Sequence, residues 1–158
     1  MFMNLKKFNK RFIAGFDHLS FDQRLDLGLN VCKKLFFDYE VYIKSTNCSG
    51  DPDFIMDAIG ALSHNKAKVV TSGMMESIYE MLEMHLQSLE TYVVKHHLED
   101  DVNANCACRA LEAVVETYYF LLNDEPQSVC NAVSCLFTNT YQKVLANKAM
   151  SNDESDNH

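Results

Sequence analysis

The chain has 158 residues, 47% of them hydrophobic and 23% charged, and only 5 glycines and 2 prolines interrupt it, which is the composition of a globular domain and excludes a disordered one. Its net charge of -8 is unevenly laid out: residues 1–34 carry seven Lys/Arg against three Asp/Glu, or +4, and residues 35–158 carry seven against nineteen, or -12. Nucleic-acid binding needs cations that displace counterions from phosphates, so this balance argues against it and favours a basic protein as partner.

Six cysteines, Cys32, Cys48, Cys106, Cys108, Cys130 and Cys135, would be enough for a disulfide framework in an exported protein. Export is not expected, because charge breaks up the apolar residues of the opening Met-Phe-Met-Asn-Leu-Lys-Lys-Phe-Asn-Lys-Arg-Phe. No run approaches the roughly 18 apolar residues that a membrane span needs. The expectation is a cytoplasmic protein with reduced thiols and no stable membrane association.

Apolar residues recur with the helical period throughout, so the predicted fold is all-α: one bundle of about six helices over residues 1–150, followed by a disordered acidic tail over 151–158. The first helix spans about 4 to 16, with Leu5, Phe8, Phe12 and Phe16 on one side and Lys6, Lys7, Lys10 and Arg11 on the other. The second, about 21 to 45, opens on Ser20 with Gln23 at capping-box spacing and buries Leu25, Leu29, Cys32, Phe36, Tyr39 and Ile43. Asp51-Pro52 starts a third helix, an N-cap followed by proline where its missing N–H costs nothing, which runs to about Ser63.

The fourth helix is predicted from near Ser72 to about His97, with Met75, Ile78, Leu82, Leu86, Leu89 and Val93 on one face and Glu76, Glu80, Glu83 and Glu90 on the opposite one. The acidic run 99–101 and Asn103 offer caps for a fifth helix over about 104–123, with Ala110, Ala113, Val114, Thr117 and Leu121 inward. A sixth, from about 125 to 149, should bury Val129, Val133, Leu136, Thr140 and Val144.

No catalytic or cofactor motif stands out. Cys106 and Cys108 are two positions apart, about 200° of helical rotation, so they face away from each other and do not suit one metal ion. Glu83 and His85 lack the Glu-x-x-His spacing of bundle metal sites, and Glu112 with Glu116, four apart, reads as solvated surface or as partners for Arg109. There is no nucleophile elbow and no glycine-rich phosphate loop. The expectation is therefore a protein with no catalytic residues, no metal and no cofactor.

Two blocks resemble the bacterial YjaG-like proteins, a family of helical domains without an agreed activity. From Leu19 to Leu62, LNVCKKLFFDYEVYIKST followed by GDPDFIMDAIGAL is similar to the family's Cys-centred helix, its Tyr-rich end and its Gly-Asp turn. From Glu99 to Leu145, EDDVNANCACRALEAVVETYYFLL and the helix after Asp124 look like its acidic loop and last helix pair. The chain departs from the family in being shorter, in its fourth helix and in its acidic tail. What the resemblance implies is an all-helical bundle in a bacterial cytoplasm, with no activity attached.

Function is expected to lie in binding. The leading expectation is an immunity-type protein that neutralises a basic toxin, for example a nuclease, with Glu76, Glu80, Glu83, Glu90, Asp100 and Asp101 as partner contacts. The alternatives are a small-molecule-binding bundle using a core group such as His85, and a homodimer joined around Tyr118, Tyr119 and Phe120.

Overall fold

A computed structural model describes residue 10, residues 15–64 and residues 72–156. Five long helices stand among them: α1 (Phe21–Ser45), α2 (Pro52–His64), α3 (Ser72–Lys95), α4 (Val102–Asn123) and α5 (Pro126–Asp156). Most of the predicted first helix lies outside the described residues. Its last residue, Phe16, is buried, and the Arg24 guanidinium sits 4.7 Å from its ring centroid and donates to its carbonyl at 3.3 Å.

Local chemistry sets the helix ends. At the start of α1 the Gln23 N–H donates to the Ser20 hydroxyl at 3.2 Å and the Ser20 N–H to Gln23 Oε1 at 2.9 Å, the reciprocal capping box. Asp51 caps α2 by accepting from the Phe54 N–H at 3.1 Å, and the turn before it is tight: a Cβ on Gly50 would lie 2.8 Å from the Tyr39 hydroxyl. α3 ends when His97 takes a left-handed φ of 57°, with the His97 N–H donating to the Val94 carbonyl and the Leu98 N–H to Val93 at 2.9 Å. These are the two bonds of a Schellman motif, formed here without the usual glycine.

α4 is the axis of the bundle. It packs against α1, α3 and α5, and buried residues occur all round it, among them Ala104, Cys106, Ala107, Ala110, Leu111, Ala113, Val114, Tyr118 and Phe120. Small residues let its neighbours come close: a Cβ on Gly28 of α1 would stand 2.8 Å from Thr117 Cγ2. One cluster of buried side chains draws on all five helices.

Two expectations need correction. α5 continues to Asp156, past the predicted end near 149. No glycine or proline follows Pro126 to stop it. The inner face of α5 also differs: Ser128, Val129, Cys130, Ala132, Cys135 and Asn139 are buried, whereas Thr140 and Val144 are exposed, because the second half of the helix leaves the bundle. None of the described helices is long and apolar enough to cross a membrane.

Candidate functional site

The six carboxylates expected to make a docking face, Glu76, Glu80, Glu83, Glu90, Asp100 and Asp101, are all exposed. At about 100° per residue the four glutamates of α3 centre roughly 110° from its buried stripe, on the flank of the helix instead of its far side. Asp101 is engaged as the N-cap of α4, its Oδ1 accepting from the Ala104 N–H at 2.8 Å. Asp100 lies in the turn before it. Glu83 lines a cleft whose opposite wall is α4, and the charge of Glu90 acts on Glu112 of α4.

The sequence suggests that Glu112 and Glu116 are solvated or paired with Arg109. Both are half-buried instead. The Arg109 guanidinium turns to α5, where Nε donates to Asn139 Oδ1 at 2.7 Å and Nη2 to Gln142 Oε1. Burial raises the pKa of Glu112 above the ordinary 4.5, the charges of Glu116 and Glu90 raise it further, and Arg109 opposes them. Burial likewise raises Glu116, and hydrogen bonds from Asn131 and Ser128 of α5 only partly offset it.

Beside these carboxylates opens a cleft of about 510 Å³. Tyr79 and Glu83 form its α3 wall, Val115, Glu116 and Tyr119 its α4 wall, and the beginning of α5 closes one end. The Tyr79 and Tyr119 rings lie 6.1 Å apart, and the Tyr79 hydroxyl is bonded to Glu83, so burial and the nearby carboxylates push its pKa well up. The arrangement is a negative groove with an aromatic wall, suited to receiving an ammonium or guanidinium group. It is not a chelating cluster: among the described residues no three His, Cys, Asp or Glu side chains are placed to hold a metal ion.

Other candidate groups are absorbed by packing. His85 is half-buried with its ring 5.3 Å from that of Phe54. Tyr118 is buried and donates to the Ala58 carbonyl at 2.5 Å, and Phe120 is buried and stacked on Phe21 at 4.8 Å, so of the expected aromatic dimer surface only Tyr119 reaches solvent. Cys106 and Cys108 point to different sides of α4, the first toward Asp38 and Lys143, the second toward Glu90. Burial raises the pKa of all six cysteines.

Sequence reasoning missed Tyr79, Tyr119 and the role of Glu112 and Glu116. The available signal was two glutamates four apart on a helix that is otherwise apolar almost all round. No family model, curated protein or solved structure matches the chain.

Proposed function

We propose that this chain is a non-enzymatic binding domain that receives a basic protein in the groove between α3 and α4, as an immunity protein does when it neutralises a basic toxin such as a nuclease. The observation that carries this reading is the cleft that Glu83 shares with the half-buried Glu116, with Glu112 nearby: burial raises the pKa of Glu112 and Glu116 alike, and for Glu112 the charges of Glu116 and Glu90 add to it. A cation supplied by a partner relieves that repulsion, and the exposed glutamates at the rim speed its approach. Tyr79 and Tyr119 are the aromatic anchors beside it. Kinship with the YjaG-like proteins is proposed for the fold alone.

The test is capture from the native cytoplasm on immobilised protein at low and high salt, run in parallel with a Glu112→Gln/Glu116→Gln variant. A basic protein held by the wild type, released by salt and lost by the variant supports the reading. A partner held equally by both sinks it.

A homodimer is the second reading. It is favoured by the exposed methionines Met74, Met81 and Met84 along α3, adaptable side chains that suit a helix interface. Sedimentation shows which holds: a monomer at high concentration removes it.

A further inference from the structure

On charge alone the cleft between α3 and α4 would accept either kind of cationic side chain: Glu83, Glu116 and Glu125 line it, and no lysine, arginine or histidine does. Its two tyrosines separate the kinds. The Tyr79 hydroxyl donates to the Glu83 carboxylate, and the charges of both Glu83 and Glu116 act on it, so the two carboxylates lie about the same ring. Tyr119 stands beside it from α4, with ring centroids 6.1 Å apart and planes inclined at 49°. The rings are tilted and not stacked, and Tyr119 is 39% exposed where it lines the cleft, which leaves aromatic surface next to the carboxylates.

Glu116 sets the terms on which a cation is received. It is half-buried, and the Asn131 and Ser128 side chains donate to it. A carboxylate has about four acceptor positions, so two such bonds leave room for a partner's N–H groups. A cation that comes down to a half-buried carboxylate gives up water on the way. An ammonium is compact and strongly hydrated, so it loses most by this. A guanidinium is weakly hydrated and planar; it lies flat on an aromatic ring while its edge donates to carboxylates beside that ring.

We propose that the α3/α4 cleft selects arginine over lysine and that Tyr119 sets the preference, a guanidinium lying on the Tyr119 ring and donating from its edge to Glu116 and Glu83. The inference rests on the reading of this cleft as the seat of a basic partner, and adds that the partner inserts an arginine side chain there.

The test titrates the full chain, isotopically labelled for NMR, with three probes: the N-acetyl methylamides of arginine, lysine and citrulline, the last keeping the shape of arginine without its charge. The arginine probe is expected to shift the amides of Val115, Glu116, Tyr119 and Ser128. The lysine probe should shift the same amides about fivefold more weakly, and citrulline at least about tenfold more weakly. Tyr119→Leu keeps an apolar side chain at this partly exposed position and should abolish the difference between arginine and lysine, with the Tm of the variant checking that the fold is kept. Equal affinity of the wild type for arginine and lysine, or a preference that survives Tyr119→Leu, would overturn the selectivity and still leave the cleft a basic partner. Citrulline binding as tightly as arginine, or no shift at these amides with either cation, would overturn the selectivity and the basic-partner reading together.

Discussion

Gly28→Ala tests the closest helix approach in the bundle. The new methyl would stand 2.8 Å from Thr117 Cγ2 and 2.9 Å from its Oγ1. Thr117 cannot step aside cheaply: it is fully buried, its hydroxyl donates to the Ala113 carbonyl at 2.8 Å, and Cys32 Sγ lies 3.4 Å from that hydroxyl. Overpacking of this kind costs about 1–3 kcal/mol. Alanine in place of a helical glycine returns about 1 kcal/mol of helix propensity, so the net expected loss is about 0–2 kcal/mol. For a chain of this length each kcal/mol lowers the Tm by about 2–4 °C. Urea denaturation followed by circular dichroism measures it, and adding Thr117→Ala to Gly28→Ala should show favourable coupling of about 1 kcal/mol in a double-mutant cycle. If Gly28→Ala is more stable than the wild type by the full helix-propensity gain, or the two changes simply add, α1 and α4 do not approach as described.

The acidic groove has a signature in stability against pH. Glu112 and Glu116 have native pKa values above the ordinary 4.5, so their charged forms weigh against the fold at neutral pH; protonation stabilises it as pH falls through the raised values, and that gain is complete below 4.5. Glu112→Gln should therefore be more stable than the wild type at neutral pH, with the difference shrinking on acidification, as urea titrations at several pH values will show. Asn139→Ala removes the acceptor of Arg109 Nε and the buried donor to Asp38 and should cost about 1–3 kcal/mol in the same assay. Burial pushes Cys32 and Cys108 up to about 12 and Cys130 to about 11, so a thiol reagent should react slowly with the native chain near neutral pH and with all six cysteines after unfolding. A rapidly titrating native thiol would contradict that.

Much of the fold was legible because it depends on short-range chemistry. Ser20 with Gln23, Asp51 with Pro52, and the apolar stripes of α1 and α3 mark their elements within a few residues. The environment of α4 was less legible. An alanine-rich helix is enclosed only when neighbours close on it, and its periodicity does not say from how many sides. The site suffered most from this. Glu112 and Glu116 look like surface residues until α3 brings the Glu90 charge near Glu112 and Glu83 into the cleft of Glu116, and α5 brings Ser128 and Asn131 to Glu116. Such placement follows from the rotation of packed helices about their axes, which local pattern does not encode. Asp101 was legible for a local reason: the acidic run at 99–101 offers a cap for the next helix, and Asp101 is that cap. The length of α5 was less legible than its start, since no glycine or proline after Pro126 marks where the helix stops.

The central claim is that the groove between α3 and α4, and not the outward face of α3, binds a basic partner. The direct measurement is the Kd of the captured protein for three versions of the chain: wild type, Glu112→Gln/Glu116→Gln in the groove, and Glu76→Gln/Glu80→Gln on the outer flank. The groove variant should bind at least about tenfold more weakly and dissociate faster, as when a desolvated charge pair is lost, while the flank variant should change mainly the association rate and its salt dependence. Equal weakening by both, or weakening by the flank variant alone, would contradict the assignment of the site.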